Sequence, residues 1–537
     1  MGNEVILKRV SKHNINKSHE LFNFCDQEAF KSKNMKNLAN YHIRQCFILG
    51  KRESSELSES QVQYIDDMNK AIKLFNKKSK ELFDKKKSEK ILKAKQSIED
   101  FKKGSSDKES KEYLTKLDKL EKSLDKIKES EYKPHKPIGE GNGFISYDFL
   151  NYYFADYLKS EDNPYRQLAT QTAQQIMRTL FKDWKSFFKS IESYNKDKSK
   201  FTGPPKMPKY KAKNGRHKLS YTNQSCKIVD RRVIFPKTNL TLKVGIPTED
   251  LKLKEVRVVP LGSIYKIELV WDKTVNLLED LNKDSYIGID LGLKNLATIT
   301  NNIGKKPIII NGKPLVSINQ YYNKKKAKMQ KLMPFTTIAK YDKSKGIYIN
   351  TKIQKSYSKS MDTLTRKRNS KIEDYMHKTS RFIIEYCIDN KIGNIVIGKN
   401  DQWKTELNLG RQNNQNFISI PFDKLIDMVK YKAEAVGISV FVVEESYSSK
   451  SSFLDLDNLP TYKKGVTHKF TGKRITRGLY KTGKTIINAD VNGSYNILRK
   501  HKKDMFTKEN IAELYTIPKV YNINGHTKSL KQKMKSA

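Results

Sequence analysis

Three acidic residues stand where they could hold divalent cations. Asp290 ends the apolar run Tyr286–Ile289 inside DSYIGIDLGLKNLATITNN (284–302). Glu445 follows a second apolar run, Ser439–Val443, and Asp490 lies in NADVNGSYNILRK (488–500). A carboxylate at the end of a buried strand is costly unless positive charge lies beside it. A divalent metal with oxygen ligands is one such charge. Phosphodiester hydrolysis needs an activated water and neutralisation of the charge that builds on the phosphoryl oxygens. Two divalent ions roughly 4 Å apart, held by acidic side chains, supply both. Each acid also has a plainer reading. Asp290 could cap a β-turn in which Gly292 supplies positive φ. Glu444 and Glu445 could simply begin a loop, and Asp490 could be a carboxylate favoured by a helix N-terminus. Their order, on strand, strand and closing helix, favours the metal reading. Asp401, Glu406, Asp455 and Asp457 are alternatives for the second position.

The elements that must position these acids alternate. Residues 284–302 read as two strands about a tight turn, and 308–316 continue the sheet. A basic helix follows at 319–333, then a loosely ordered 334–352 and a helix over 354–389. Strands at 394–398 and 439–443 flank a helix at 421–436, the spacing a parallel α/β sheet requires. A loop, 446–484, precedes the short helix 488–498. Upstream, residues 3–10 read as a strand and 21–50 as helix. Residues 58–131 form a lysine-rich helical hairpin broken at Gly104-Ser105-Ser106. Pro134 to Gly143 is a boundary, and helices resume at 147–158 and 168–194. FTGPPKMPKYK (201–211) is extended, and 218–272 holds short strands between Gly and Pro turns. The tail 501–537 is polar and basic, with no role assigned to it.

Composition narrows the partners. The 105 Lys and Arg against 59 Asp and Glu give a net charge of +46, spread over the whole chain. Such a field favours a polyanion, with salt-sensitive association. Arg178, Lys182 and Lys185 lie opposite the apolar side of their helix. Lys206, Lys209 and Lys211 lie in the extended segment, and Arg366, Lys367, Arg368 and Lys371 make a dense basic surface. All are candidates for nucleic-acid contact, as is Trp403 with Lys404 beside it, through stacking on a base. The four cysteines are isolated, so neither a disulfide framework nor a cysteine zinc site is expected. No long apolar run suggests secretion or a membrane span.

GIDLGLKNLAT resembles the first segment of a RuvC-type RNase H-like nuclease. Such domains occur in TnpB-like RNA-guided endonucleases of IS200/IS605- and IS607-type transposons and in compact type V CRISPR effectors. The similarity runs almost to Lys500 and, less specifically, through 160–280. NADVNGSYNILRK matches the family's third segment, with Asn492 and Asn496 in the pattern. The family usually places its second acid at the end of the strand NIVIGKN, but Gly398 stands there. In relatives with an IGKNDQWKTELNLG-like stretch the Glu is relocated to the next strand, which points to Glu445, with Glu444 as fallback. Catalysis and Mg²⁺ binding are therefore assigned to Asp290, Glu445 and Asp490, with Mn²⁺ as a substitute ion. Glu444, Asn492 and His377 are candidates for support. Most relatives carry a four-cysteine zinc ribbon before the last Asp. This chain has none there and His468 alone cannot make a site, so no zinc is expected. Tyr462, Phe470, Leu479 and Tyr480 would pack that subdomain instead, with Lys473, Arg474 and Arg477 outside it.

The resemblance implies a multidomain, bilobed protein: a helical recognition lobe with a small β-rich wedge domain, then an α/β RNase H-like (RuvC) nuclease domain with a helical insertion. Expected bounds are 1–17 for the first wedge strand, 18–200 for the recognition domain and 201–283 for the wedge. The nuclease domain follows at 284–445, with its insert at 319–389. A target-nucleic-acid-binding subdomain (446–487), the closing helix (488–500) and the tail complete the chain. The implied partners are a structured guide RNA and double-stranded DNA carrying a short flanking motif. A homodimer is compatible, no membrane is involved, and a cytoplasmic, nucleoid-associated place in a prokaryotic host is expected. A nuclease-inactive RNA-guided DNA-binding protein and a transposition-associated DNA-binding protein are the alternatives.

Overall fold

The structure, a computed structural model, describes residues 4–104, 111–160, 162–245, 252–342, 347–354, 358–400, 420–463, 465–476, 478–511, 514 and 516–523. Trp403, Lys404 and Arg477, like Asp401 and Glu406, lie outside the described residues. The chain divides into two compact units, Lys8–Asp272 and Lys273–Ala537 together with Met1–Leu7.

In the unit Lys8–Asp272, helices bury apolar stripes against one another. They are α1 (Leu21–Leu49), α2 (Glu59–Gly104), α3 (Lys111–Glu129), α4 (Tyr147–Tyr152), α5 (Pro164–Gln167) and α6 (Thr170–Lys196). Ile176, Leu180, Trp184 and Phe187 recur at helical spacing on α6 and share a core with Met35, Ala39, Ile43 and Cys46 of α1. The Trp184 indole keeps a polar partner in that core, donating to Asn40 Oδ1 at 2.9 Å. The lysine-rich α2 and α3 pack on each other, with Phe101 and Tyr113 stacked at 5.1 Å. Strand β1 (Glu4–Ile15) joins a four-stranded sheet in the order β1-β7-β6-β2, built with β2 (Leu219–Thr222), β6 (Lys252–Leu261) and β7 (Ile264–Asn276). A second sheet holds β3 (Lys227–Val229), β4 (Arg232–Ile234) and β5 (Thr241–Lys243).

The other unit is organised on a six-stranded sheet in the order β14-β13-β8-β9-β10-β18. Its strands are β8 (Asn282–Leu291), β9 (Asn295–Asn301), β10 (Ile308–Asn311), β13 (Ile392–Gly398), β14 (Ser439–Val443) and β18 (Lys519–Tyr521). Only β9 is antiparallel to its sheet neighbours, so β8, β10, β13 and β14 end at one edge. Side chains alternate across a strand. Ile287, Ile289 and Leu291 of β8, with Ile395 and Ile397 of β13, face a core shared with α8 (Lys359–Asp389) and α9 (Phe422–Glu434). Tyr286 and Val396 face the opposite core, with Val491, Tyr495, Ile497 and Leu498 of α10 (Ala489–His501). Asp290 and Gly398 have the parity of that second face, and Glu445 continues the parity of Val443, which packs there.

Several expected elements are corrected. Within the expected loosely ordered stretch 334–352, the described residues form strands: β11 (Phe335–Asp342) and β12 (Ile347–Gln354) pair antiparallel between α7 (Lys313–Lys331) and α8, so the insertion is not wholly helical. Alternating Thr, Ile and Tyr residues supply the strand propensity. The 446–484 loop contains β15 (Lys473–Thr476) and β16 (Leu479–Thr482), paired with β17 (Thr485–Asn488). Tyr480 is fully buried and donates to the Lys450 carbonyl at 2.8 Å, whereas Tyr462 and Leu479 are exposed and do not pack this subdomain. The tail is not idle either. After α11 (Lys508–Ile511), β18 adds to the sheet parallel to β10, and Tyr521 joins the core.

Candidate active site

The sheet's C-terminal edge collects the three acids. Asp290 is the penultimate residue of β8, opposite Thr298 of β9. Its carboxylate lies beneath the first turn of α10, where a Cβ built on Gly493 would stand 2.8 Å from Asp290 Oδ2. The helix is held that close by Ser494, whose hydroxyl donates to the Gly288 carbonyl at 2.8 Å. Asp490 sits in that first turn, behind an Asn488 N-cap that accepts from Asp490 N and Val491 N.

Glu445 reaches the site through a gap in the neighbouring strand. Gly398 ends β13, and a Cβ there would be 3.0 Å from Glu445 Oε2 and 2.5 Å from Ile497 Cδ1. The glycine thus leaves the space that the Glu445 side chain borders from just past the end of β14. Asn400 orients the acid, accepting from Glu445 N at 3.2 Å and donating to Oε1 at 3.4 Å. Oε2 is buried and has no hydrogen-bond partner among the described residues. A buried acceptor left unpaired costs about 1–3 kcal/mol, and more when charged. Such an atom is suited to accept a cation or a proton.

The electrostatics agree with the geometry. Burial raises the Asp290 carboxyl well above its ordinary range; the charges of Glu445 and Asp490 raise it further, and Arg474 opposes. Burial and the Glu444 charge push Glu445 up to about 7, against Lys500. Asp490 is held outward: Asn295 Nδ2 donates to its Oδ2 at 2.7 Å, and the Arg474 guanidinium lies 3.0 Å from Oδ1. Among the described residues no three Asp, Glu, His or Cys side chains form a ready metal cage. Glu445 and Asp490 are each within electrostatic reach of Asp290, with Asp490 engaged by an amide and a cation.

The supporting residues fall out differently from expectation. Glu444 points away and pairs with Lys500 at 2.6 Å. His377 is exposed on α8, across the sheet from Asp290, so it is not in the cluster. Asn492 is spent on backbone, accepting from Phe453 N and donating to the Ser451 carbonyl. Asn496 likewise donates to the Ser448 and Ser451 carbonyls, so both tether the turn that follows Glu445. Asp455 and Asp457 accept from Ser452 and Thr471 in turns and do not fill the second position. Arg474, expected on a nucleic-acid face, sits on Asp490. Asn295 and Asn400 were missed. Asn295 opens β9 and Asn400 lies two residues beyond the end of β13, and that place beside a strand end is the one sequence signal they carry.

The remaining basic candidates occupy three surfaces. Arg178, Lys182 and Lys185 line a cavity of about 570 Å³ with Phe47, Phe144 and Phe188. Lys206, Lys209 and Lys211 are exposed on a strap tied to α1, where Asn40 and Arg44 donate to the Pro208 carbonyl and Asn37 to that of Lys211. Lys367, Arg368 and Lys371 line a cavity of about 690 Å³ between α7 and α8. Arg366 pairs with Asp362 at 3.5 Å, and Lys473 is exposed on β15.

A strand-edge acid cluster on an α/β unit joined to a helical and β-rich unit defines a multidomain α/β protein. Residues 270–404 match the OrfB_IS605 family, described as a probable transposase, and residues 422–497 match the TNB domain of Cas12f1-like proteins. Over these stretches the chain is TnpB-like or similar to a compact type V effector. No curated protein matches the chain. Among solved structures, a Cas12f1–sgRNA–target DNA complex matches at 14% identity with a TM-score of 0.29, covering 68% of this chain and 87% of that one. A CRISPR-Cas12f ternary complex matches at 12% identity with a TM-score of 0.27, covering 92% and 98%. A Cas12i1 R-loop complex matches at 9% identity with a TM-score of 0.27, covering 79% and 57%.

Proposed function

We propose that this chain is an RNA-guided DNA endonuclease that hydrolyses phosphodiester bonds at a single RuvC-like, RNase H-like site made by Asp290, Glu445 and Asp490. The observation that carries the reading is the unpaired, buried Glu445 Oε2 in the space beside Gly398, in a cluster whose charge also raises Asp290. Carboxylate oxygens are the donors Mg²⁺ prefers, and a buried anionic pair without a counter-ion is costly, so the residues fit that ion, with Mn²⁺ as substitute. Bound there, it would supply charge neutralisation and an activated water.

The protein's own groups do the positioning. Asn400 fixes one Glu445 oxygen and leaves the other free, Asn295 orients Asp490, and Asn492 with Asn496 secures the turn behind Glu445. The high resting pKa of Asp290 and Glu445 means that a proton competes with the cation, so activity rises with pH. Guide pairing would read sequence while the protein reads a short flanking duplex motif, the division of labour of RNA-guided effectors. The surplus of basic residues suits RNA and DNA backbones.

The RNA-loaded protein, incubated with target plasmid and Mg²⁺, is the test. Asp290→Ala, Glu445→Ala and Asp490→Ala should each abolish cutting while leaving guided binding intact. Equal cutting by wild type and Glu445→Ala would remove Glu445 from the site. A wild-type complex that binds its target and never cuts would identify an inactive RNA-guided binder.

A further inference from the structure

The cavity between α7 and α8 is not used by the chemistry above. Its walls include Tyr321, Tyr322, Lys325, Lys367, Arg368 and Lys371, and among the described residues no acidic side chain lines it. Tyr321 is 59% exposed, and Tyr322 is half-buried, with its hydroxyl 3.1 Å from Thr365 Oγ1. Lys325, Lys367 and Lys371 are exposed and take part in no ion pair among the described residues. The carboxylates nearby on α8 are engaged elsewhere, Asp362 by Arg366, Glu373 by Lys424 and Asp374 by Lys378. Lys325 stands over the Tyr321 ring at 5.8 Å, and Lys326 and Arg368 over the Tyr322 ring at 5.9 and 5.6 Å, so the groove brings aromatic rings and positive charge together.

Its place in the fold matters as much. α7 leaves the sheet at the end of β10 through Gly312, whose amide donates to the Lys294 carbonyl at 2.7 Å, just past Asp290. The Tyr375 hydroxyl donates to the Asn311 carbonyl, pinning α8 at that edge. From Tyr375 to its C-terminus α8 spans about 21 Å at 1.5 Å per residue, roughly the length of β13 at 3.3 Å per residue. The earlier part of α8, with Lys367 and Lys371, therefore overhangs the edge that carries Asp290 and Glu445.

We infer that this groove is a track for single-stranded DNA, stacking unpaired bases on Tyr321 and Tyr322 and holding phosphates with Lys325, Lys367 and Lys371. Base stacking on aromatic rings beside a basic groove is how sequence-tolerant single-strand binding is built. A duplex keeps its bases stacked on each other and gains nothing from the tyrosines. The choice of DNA over RNA rests on the endonuclease reading; the single-strand preference rests on the groove itself.

The full-length protein in EDTA, titrated into a fluorescent oligo-dT by anisotropy, tests this apart from cleavage. Tyr321→Ala should weaken oligo-dT binding about tenfold, and Tyr321→Phe should restore it. Lys367→Ala with Lys371→Ala should weaken it as much and lower the salt slope by about 1.4, two phosphates at 0.7 each. Oligo-U and a blunt duplex should change less than twofold, and an iododeoxyuridine oligonucleotide should crosslink to the peptide bearing Tyr321. Oligo-dT affinity within twofold of wild type for both variants overturns the proposal, as does a parallel loss for oligo-U, which would make the groove an RNA track. Cutting that survives Asp290→Ala would sink the assignment of the cutting site to Asp290 and leave the binding result standing. Lost cutting with oligo-dT binding unmoved by Tyr321→Ala would sink the groove alone.

Discussion

In the unit Lys8–Asp272, His42 is sealed among Tyr64, Tyr153 and Phe154, with Nδ1 2.8 Å from the Tyr64 hydroxyl, and burial pulls its pKa down to about 4. His217 is pulled to about 3 by burial and then by Lys36, Lys211 and Lys218. In the other unit Asp290 and Glu445 are buried acids, both pushed up. One unit thus hides neutral bases beneath a basic exterior, and the other hides acids beside one another. A neutral imidazole at pH 7 needs no counter-ion. Paired buried acids call for a proton or a cation, so the second unit keeps an unmet electrostatic demand, which is where chemistry is expected.

The sharpest test of that contrast removes the demand. Asp290→Asn should lower cutting by about a thousandfold, the scale of losing a key electrostatic group at an active site, yet raise the melting temperature in EDTA. Loss of both activity and stability would mean that Asp290 is structural. Gly398→Ala probes the gap from the other side. Its Cβ must displace Ile497 Cδ1 and crowd Glu445 Oε2, with an expected cost of about 1–3 kcal/mol and a clear fall in cutting rate.

How legible was this in the sequence? The apolar run into Asp290 carried its own signal, because a continuous apolar stretch is a local property, and the closing segment at Asp490 was reachable through resemblance. Glu445 was reachable through resemblance, and its contact with the Gly398 gap depends on strand pairing that no local pattern states. Asn295 and Asn400 escaped because a side chain at or just beyond a strand end shows its partner only when the chain is folded. The ion pair between Arg474 and Asp490 escaped for the same reason. β18 was missed because three residues in a polar tail make too short a pattern to distinguish from coil.

The opposite pKa shifts predict opposite pH slopes. His42 binds its proton near pH 6.5 when unfolded and near 4 when folded, so its contribution is present above 6.5 and lost as pH falls toward 4, about 3 kcal/mol in all. Glu445 binds near 4.5 unfolded and near 7 folded, so in EDTA its contribution is full below 4.5 and lost as pH rises through 7. Chemical denaturation followed separately in the two units should show these trends crossing. His42→Phe should flatten the acid limb of the first unit, and Glu445→Gln the alkaline limb of the second. Parallel slopes in both units would erase the contrast.

The smallest expected effect concerns Arg474. Its ion pair with Asp490 is partly exposed on both sides, 40% and 29%, so Arg474→Ala should change stability by no more than about 1 kcal/mol. Its electrostatic role is larger, because the guanidinium occupies an Asp490 oxygen that a metal would also seek, and it lowers the Asp290 pKa. Removing it leaves the cluster more anionic. The Mg²⁺ concentration that gives half-maximal thermal stabilisation should therefore fall several-fold, by mass action on a site freed of its competitor. A rise instead would show that Arg474 holds Asp490 in the geometry the ion needs, and would make the guanidinium part of the site's construction rather than a cation standing in the ion's place.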